Sequence, residues 1–549
     1  MRELWTILKP AHRHWRWMLS GIMLGVSVIA ANAALMAVSG WFIASMAMAG
    51  AAKISFNYFF ASASIRALAI LRTVGRYGER LVTHEAAFHI LAALRVWLFR
   101  RLVPLAPAGL ERYASGDLAG RMRGDLDSLE TLYLRIIAPL ATGLFSIIMG
   151  GLFVSFWSGY AALALLALLL LASLVLPLFA MRLSKVPGRR SAELAGALRK
   201  TVSEGLQGAE ELLLLGAEGK QAEMAETISA DLVSQQIRLG QTGALTLAAV
   251  TASAGFALAV IALVCIPQVR SGDLSGPNMV MLLLFAAASF EAIGPMAHSL
   301  QLVPATSEAA RRITELAFAR IPLPEPLQPV AASSSGIIME KASCSYGDAR
   351  YVIEDFSLSI KPGERVAVVG PSGSGKSTLV ELLLRFRPYQ GSIRIGGAEL
   401  RDISSDELPQ LVSAVPQEPH LFNSSIRENI LLGRKLSEQQ ISAVLHDCCL
   451  SDWIATLPGG LDTVVGEAGS AVSGGEARRI ALARAIAGNA PIVVLDEPTE
   501  GLDGNTERIL VERLAARLDG KTVLVATHRP ACLKLAMRVI RIERGRSWQ

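Results

Sequence analysis

Long stretches without a charged residue constrain this chain more than any other feature of its sequence. Residues 17–52, 136–181 and 239–269 contain no Asp, Glu, Lys or Arg. A helix needs roughly 20 apolar residues to cross a bilayer, so these stretches predict one, two and one crossings. A second crossing beginning near residue 54 and a sixth over about 274–304 complete a predicted bundle of six spans, with both chain termini in the cytoplasm.

The composition changes near residue 320 and predicts two domains. Residues 1–320 form the predicted α-helical membrane domain, 321–335 a proline-rich and then small-residue linker, and 336–549 a soluble α/β domain. Basic residues over about 100–130 and 182–238 predict two cytoplasmic excursions, because cytoplasmic loops carry the excess of Lys and Arg. The net charge of +6 is not an argument for nucleic-acid binding, since the basic residues cluster at the ends of apolar segments.

The predicted second span carries charged residues at helical spacing. Arg72, Arg76, Arg80 and His84 lie four residues apart, which places them along one face of a helix. Such a stripe cannot face lipid without a large cost. Two interpretations stay open: the arginines brace neighbouring helices, or they line a cavity for an anionic substrate. Glu291, in the sixth span, is either functional or the partner of one of these arginines.

A glycine-rich stretch with the sequence GPSGSGKST occupies residues 370–378, after an apolar run and before a helical pattern. This is the strand, loop and helix context of a phosphate-binding loop. The backbone N–H groups and the helix N-terminus would face an anionic pyrophosphate. The residues expected to hold the phosphates are Gly370, Ser372, Gly373, Gly375, Lys376, Ser377 and Thr378.

Two carboxylates follow a second buried strand pattern. Residues 492–495 are apolar, and Asp496 and Glu497 come directly after them. Parallel strands deliver such residues to the edge of a sheet where ligands bind. We expect Asp496 to hold Mg²⁺ with the Ser377 hydroxyl, and Glu497 to polarise the attacking water. Tyr346 precedes another strand and either stacks on adenine or is only packed.

Between these motifs lies Val472-Ser473-Gly474-Gly475-Glu476, followed by a helical pattern. With it, the soluble half resembles the nucleotide-binding domain of ABC transporters. That resemblance implies that Ser473, Gly474, Gly475 and Glu476 contact the γ-phosphate of ATP held by a second such domain. It also implies three further site residues, which are Gln417 of the Q-loop as a metal ligand and catalytic residue, Asp503 of the D-loop, and the switch histidine His528.

One residue departs from the family pattern, which usually has Gln at the end of the signature. Glu476 places a carboxylate near a phosphate site. It either weakens the composite site offered to the partner domain or is tolerated at the solvent edge. The site built on Lys376, Asp496 and Glu497 has every residue needed for hydrolysis.

The membrane half resembles the exporter branch of the same superfamily. Tyr113 to Arg121, with Asp125 and Asp127, is similar to a coupling segment. Three stretches resemble CydC-type subunits of bacterial thiol exporters: residues 39–42, residues 72–84, and residues 473–476 together with 496–503. This narrower resemblance implies a heterodimer with a CydD-type half-transporter, ATP-driven export of cysteine and glutathione across the inner membrane, and support for cytochrome bd assembly. It also implies haem b, for which His84 and Arg80 are the candidate ligands; His84 equally suits an interhelical polar network.

Two other functions compete with thiol export. One is the export of lipid, peptide or drug, which an apolar cavity without the arginine stripe would favour. The other is a haem-linked reductase or sensor that acts on disulfides such as cystine. Of the five cysteines, Cys448 and Cys449 are the adjacent pair that could serve it. Adjacent cysteines pair poorly, and ordinary packing is the more common role.

Overall fold

The structure is a computed structural model that describes residues 7, 9, 12–111, 113, 118, 120–346, 351–543 and 545–548. Its contacts divide the chain into two units. The first contains residues 1–103 and 113–319, and the second contains residues 320–549 together with 104–112. Most of the predicted coupling segment between Tyr113 and Arg121 lies outside the described residues.

The first unit is helical. Its α-helices are α1 (Trp15–Ala51), α2 (Phe59–Leu102), α3 (Leu126–Thr131), α4 (Ala138–Ser155), α5 (Gly159–Leu170), α6 (Leu176–Gln207), α7 (Ala209–Leu215), α8 (Glu218–Ser271), α9 (Gly276–Ser289) and α10 (Ile293–Ala317). Short π-helical segments join α3 to α4 and α5 to α6, and a 3₁₀ turn over Phe290–Ala292 joins α9 to α10.

Five continuous helical segments of the described chain are long and apolar enough to cross a membrane. They are His12–Ala51, Met122–Ser155, Gly159–Gln207, Glu218–Ser271 and Gly276–Ala317. The sixth long helix, α2, is the predicted second crossing, and its N-terminal half carries Arg66, Arg72 and Arg76. The predicted outer turn at residues 157–160 separates α4 from α5, and the Ser158 side chain accepts a hydrogen bond from the Ala161 N–H to cap α5.

The predicted second cytoplasmic excursion is built from helix rather than loop. Residues 182–238 lie mostly within α6 and α8, which run 32 and 54 residues without an interruption at the membrane boundary. The short helix α7 lies between them, and its Leu213, Leu214 and Leu215 are strongly exposed. The change from apolar to charged residues therefore does not mark the end of these helices.

Small residues let the membrane helices approach one another. A Cβ added to Gly75 of α2 would lie 2.9 Å from Val28 of α1, and one added to Gly40 of α1 would lie 2.9 Å from the Val280 carbonyl oxygen of α9. Close backbone approach of this kind supplies the van der Waals contact that holds helices together in lipid. These contacts set α1 between α2 and α9.

The second unit contains two sheets. Its strands are β1 (Ile337–Ser345), β2 (Tyr351–Ile360), β3 (Arg365–Val369), β4 (Gln390–Ile395), β5 (Ala398–Glu399), β6 (Val412–Val415), β7 (Ile492–Asp496), β8 (Thr522–Ala526), β9 (Arg538–Glu543) and β10 (Arg546–Trp548). The first sheet is antiparallel with the order β2-β1-β4-β5. The second has the order β10-β9-β3-β8-β7-β6, parallel except for β10.

Helices cover this second sheet. They are α11 (Lys376–Leu383), α12 (Leu408–Leu411), α13 (Ile426–Leu431), α14 (Glu438–Asp447), α15 (Ser451–Thr456), α16 (Gly474–Ala487) and α17 (Gly504–Arg517). Every residue of β7 and β8 is buried, as expected for parallel strands covered on both faces. The residues predicted as a linker lie along this unit, where the Val330 N–H donates to the Asp402 carbonyl and Ser333 donates to that of Gly396.

Candidate functional site

Four neighbouring strands bring the predicted site residues to one edge of the second sheet. In the order β3-β8-β7-β6, the strands are followed by the glycine-rich loop, by His528, by Glu497 directly after Asp496, and by Gln417. Because the strands are parallel, their carboxyl ends meet at this edge. Gly370 and His528 are 158 residues apart in sequence, but the strands that precede them, β3 and β8, pair side by side.

The glycine-rich loop between β3 and α11 has the backbone that its sequence predicts. Gly373 and Gly375 have φ angles of 77° and 101°, in the region that disfavours other residues. A Cβ on Gly375 would also lie 2.7 Å from the Ile353 side chain. Lys376 is buried, and its Nζ donates to the carbonyl oxygens of Gly370 and Pro371 at 2.9 and 3.2 Å. The lysine thus lies across the loop that would surround a phosphate.

Oxygen ligands suited to a hard divalent cation converge beside this loop. The Ser377 hydroxyl donates to the Gln417 side-chain oxygen at 3.3 Å. Asp496 is 3% exposed, and its Oδ1 is buried with no hydrogen-bond partner among the described residues. Burial raises the pKa of Asp496 above its ordinary value. A buried, unpaired carboxylate oxygen beside a hydroxyl and an amide oxygen fits Mg²⁺.

Glu497 is held in a sterically costly conformation. Its φ is +47°, its side chain is 5% exposed, and its N–H donates to the Ala526 carbonyl at 2.9 Å. The Oε1 atom lies 2.8 Å from His528 Nδ1, and Thr527 Oγ1 donates to Oε2 at 3.4 Å. A non-glycine residue in this region costs about 1–3 kcal/mol and is found where the surroundings fix it. The carboxylate is thus oriented from both oxygens, as a residue that polarises water must be.

Tyr346 has an environment that sequence reasoning missed. Its hydroxyl is hydrogen-bonded to Thr378 Oγ1 at 3.1 Å and donates to Glu381 at 3.2 Å. The Arg387 guanidinium carbon lies 3.7 Å from the ring centroid. Arg387 also pairs with both carboxylate oxygens of Glu111 and with Glu381. One face of the ring is therefore covered by the guanidinium.

No sequence pattern pointed to this contact, since Glu111 and Arg387 are 276 residues apart. Glu111 follows α2 in the chain but belongs to the second unit. The Arg387 side chain is only 6% exposed. A buried guanidinium requires acidic partners, but the sequence does not show that Arg387 is buried or which acidic residue lies beside it.

Glu476, the residue that departs from the family pattern, closes the start of the signature helix α16. The Glu476 N–H donates to Ser473 Oγ at 3.3 Å, and the Ser473 N–H donates to Glu476 Oε2 at 2.7 Å. This is a capping box, in which Glu and Gln serve equally. Gly474 and Gly475 form the first turn of α16, whose free N–H groups favour an anion. The carboxylate is thus engaged within its own helix terminus.

Arg478 of α16 joins three segments of the site. Its Nε donates to the Gln417 carbonyl at 3.3 Å, and its two terminal nitrogens donate to the carbonyl and the carboxylate of Glu500, each at 2.7 Å. Asp503 caps α17 by accepting from the N–H groups of Asn505 and Thr506. Hydrogen bonds to Thr506 lower the pKa of Asp503. The signature helix, the Q-loop and the segment before Asp503 are therefore linked through one guanidinium.

The charged residues of the membrane half divide into two sets. Arg76 lies 2.6 Å from Glu291, and Arg72 lies 4.0 Å from the same carboxylate oxygen. The interpretation that Glu291 pairs with an arginine of α2 is therefore the one that the structure supports. His84 and Arg80, by contrast, are exposed, and the His84 ring is 6.3 Å from that of Phe88. These are the two residues predicted to bind a haem iron and a propionate, and they lie one helical turn apart on α2.

A phosphate loop, an oxygen-rich metal site and a signature helix on one chain with a helical membrane unit define an ATP-driven membrane transporter. This chain belongs to the ABC transporter family, and it has the exporter arrangement of both parts. Residues 18–293 match the family described as ABC transporter transmembrane region, and residues 353–500 match that described as ABC transporter.

The chain is similar over its whole length to curated transport proteins. It is 36% identical, over 99% of its length and 96% of the relative's, to the glutathione/L-cysteine transport system ATP-binding/permease protein CydC of Escherichia coli. It is 29% identical to the CydD protein of the same system of Bacillus subtilis, over 100% of this chain and 95% of the other. It is 28% identical to the ATP-dependent lipid A-core flippase of Burkholderia pseudomallei, over 100% and 91%.

A solved structure described as a bacterial Atm1-family ABC exporter with ATP bound has the same fold. The TM-score is 0.85 at 20% identity, with 97% of this chain and 94% of that chain covered. The predicted resemblance, the fold class and the coupling of ATP hydrolysis to transport are thereby confirmed. The chain is a multi-pass protein of the bacterial inner-membrane type.

Proposed function

We propose that this chain is one half of a heterodimeric exporter that uses ATP to move small thiols, cysteine and glutathione, across the bacterial inner membrane. The observation that carries the proposal is the 36% identity to CydC, which extends over 99% of the chain and so includes the membrane half. The similarity to a CydD protein supports a CydD-type half-transporter as the partner. The N- and C-termini lie in the cytoplasm, and the membrane domain, linker and ATP-binding domain occupy 1–320, 321–335 and 336–549.

ATP binding closes the site in this proposal. Lys376 leaves the carbonyls of the loop to contact the β/γ-phosphates, and the ring of Tyr346 stacks on adenine. Ser377, Gln417 and Asp496 hold Mg²⁺, which offsets phosphate charge when bound. The signature residues Ser473 to Glu476 contact the ATP held by the partner.

Hydrolysis depends on the residue that follows Asp496. Glu497 accepts the hydrogen bond of the attacking water, and His528 keeps the carboxylate in place. Arg478 then transmits the state of the site, because it joins Gln417 to the segment that precedes Asp503. Domain closure moves the coupling segments and turns the helices between inward- and outward-facing states.

The supporting role in cytochrome bd assembly and the association with haem b belong to the same proposal. His84 would supply an imidazole to iron and Arg80 a guanidinium to a propionate. The haem spectrum of the purified complex, compared between wild type and His84→Ala, tests this part separately. An unchanged spectrum would remove His84 from the proposal.

Lipid export is the second candidate, because the chain also resembles a lipid A-core flippase over its full length. The disulfide reductase alternative is disfavoured, since Cys448 is fully buried and burial raises the pKa of both Cys448 and Cys449. A thiol with a raised pKa forms little of the reactive thiolate.

The test is ATP-driven uptake of labelled cysteine and glutathione into inverted vesicles that contain this chain and its CydD-type partner. We expect uptake that requires ATP and that Lys376→Ala abolishes. Glu497→Gln should bind ATP but hydrolyse it at least about 100-fold more slowly, in the range of losses typical for a positioned proton acceptor. Uptake of lipid but not of either thiol would favour the second candidate.

A further inference from the structure

A charged cluster lies deep within the membrane unit, away from the ATP site. Glu291 accepts from Arg76 through Oε1 at 2.6 Å and from the Asn32 amide through Oε2. Arg72 lies 4.0 Å from Oε1. Three helical segments contribute these side chains: α1, α2 and the 3₁₀ turn between α9 and α10. We call the set of Asn32, Arg72, Arg76 and Glu291 the membrane cluster.

The helix bounds place the membrane cluster near the middle of the bilayer. Arg72 is 13 residues from the outer end of α2, and Glu291 is 15 residues from the outer end of α9. At about 1.5 Å per residue, both are about 20 Å along the bundle from these helix ends, less than the roughly 30 Å thickness of a bilayer core. Charges at that depth face the interior of the bundle or a water-filled cavity, because exposure to lipid is too costly.

The membrane cluster carries a net positive charge. Within the cluster, two guanidiniums face one carboxylate. Next to it on α2, the opposite charges of Glu79 and Arg80 offset each other, so one excess positive charge remains. The exposed fraction of the side chain is 31% for Arg72 and 42% for both Arg76 and Glu291. Among the described residues Arg72 has no hydrogen bond and only the 4.0 Å contact, so its N–H donors are available. The carboxylate of Glu291 has two lone pairs on each oxygen and can accept another donor.

Asn32 fixes the carboxylate from the buried side. It is 3% exposed and donates to Glu291, and its own Oδ1 is buried without a partner among the described residues. Leaving that oxygen unsatisfied is unfavourable, and the hydrogen bond that the amide donates to Glu291 offsets part of this cost. Gly75 allows α1 and α2 to pack closely beside the cluster, since a Cβ there would lie 2.9 Å from Val28 and hold the two helices apart. Glu291 also sits where the sixth helix is interrupted by a 3₁₀ turn, a common feature of functional hinges.

We infer that the membrane cluster is a binding site for the α-amino-acid head group of the transported molecule. Arg72 and Arg76 bind its carboxylate, Glu291 binds its ammonium group, and Asn32 is a positioning residue that orients Glu291. Guanidinium pairs match carboxylates through two parallel N–H donors, and a carboxylate fixed beside them matches an ammonium. This inference rests on the proposed thiol export, since L-cysteine and the γ-glutamyl end of glutathione share that head group.

The first experiment uses the unaltered heterodimer with its CydD-type partner, reconstituted in lipid vesicles. Unlabelled L-cysteine, cysteamine and 3-mercaptopropionate compete with labelled cysteine for ATP-dependent uptake. Cysteamine lacks the carboxylate and 3-mercaptopropionate lacks the ammonium. We expect each to need about 10- to 100-fold more than L-cysteine for half-inhibition, the ratio typical for a lost charge-assisted hydrogen bond. Equal potency of all three would overturn the inference.

Variants assign the two ends of the head group. Arg72→Gln should raise the KM for cysteine about 10-fold or more and abolish the preference over cysteamine, whereas Glu291→Gln should abolish the preference over 3-mercaptopropionate. Arg66→Gln, an exposed arginine of the same helix, is the matched control and should change neither. Asn32→Asp places a second carboxylate beside Glu291 and should raise KM without altering kcat. Retained preferences in Arg72→Gln and Glu291→Gln would refute the assignment.

Failure of the proposed function gives a different result. If the wild type moves no thiol, stimulation of ATP hydrolysis by L-serine and L-alanine reports on the head group alone. Stimulation that Arg72→Gln removes would keep the site while thiol export is abandoned. Absence of stimulation by any amino acid would overturn the site as well.

Discussion

The contact between Glu111, Arg387 and Tyr346 predicts that a residue far from the phosphates sets the affinity for ATP. We consider the change Glu111→Gln, which keeps the shape of the side chain and removes its charge. Arg387 would lose its bidentate carboxylate and keep Glu381 and the aromatic ring. Because the guanidinium covers one face of Tyr346, its displacement disturbs the ring on which adenine is proposed to stack.

The magnitude follows from burial. Removing one partner of a fully buried ion pair costs about 3–5 kcal/mol. Here the Arg387 side chain is 6% exposed but that of Glu111 is 40% exposed, and Glu381 still neutralises part of the charge. We therefore expect about 1–2 kcal/mol. If the whole effect reaches the nucleotide, the Kd for ATP rises about 5- to 30-fold.

The assay is equilibrium binding of a fluorescent ATP analogue to the purified heterodimer, with wild type, Glu111→Gln, Arg387→Met and the double variant compared. Coupled residues give a double variant weaker in effect than the sum of the single ones. The matched control is Glu354→Gln, which breaks the exposed pair with Arg546 at 3.1 Å and should change the affinity less than about twofold. Additive effects, or an unchanged affinity in Glu111→Gln, would refute the reasoning.

Three further predictions concern the ATP unit. Glu476→Gln retains the capping box and should leave ATP hydrolysis within about twofold of wild type, whereas Glu476→Ala should destabilise the unit by about 1 kcal/mol in thermal unfolding. Because burial raises the pKa of Asp496, this group takes up a proton earlier than an ordinary carboxyl as pH falls. Without bound ions, the free energy of unfolding therefore gains from Asp496 as pH falls, whereas the stabilisation by Mg²⁺ and ATP becomes smaller. Unfolding temperatures measured from pH 7 to 5 should show both trends, and Asp496→Asn should remove them. Replacement of Cys448 and Cys449 by Ser should leave transport unchanged, since burial raises the pKa of both thiols; a loss of activity with intact folding would revive the disulfide chemistry.

Most residues of the candidate ATP site could be predicted from local sequence. A glycine-rich loop needs a particular backbone, and glycine permits the positive φ angles found at Gly373 and Gly375. Asp496 and Glu497 follow an apolar run that can only be a buried strand, and Ser473 precedes Glu476 at the spacing of a capping box. The lengths of the uncharged stretches also predict four of the six membrane crossings, whereas the second and sixth crossings carry charged residues.

Other features depend on pairings between distant segments. The arginine stripe of α2 left two interpretations open, and only the packing of α1, α2 and the turn after α9 gave Arg76 its carboxylate. The positive φ of Glu497 is imposed by its hydrogen bonds to Ala526, Thr527 and His528, not by its residue type. In the sequence Arg387 is an ordinary basic residue, and only the fold shows that it pairs with Glu111.

By itself, the sequence determined that this chain crosses a membrane several times and carries an ATPase, because bilayer thickness and phosphate geometry act on contiguous residues. Tertiary structure decided which charges are paired and which arginine covers Tyr346. The physical reason is that the energy of a buried charge depends on its neighbours in space, and the order of residues along the chain does not specify those neighbours.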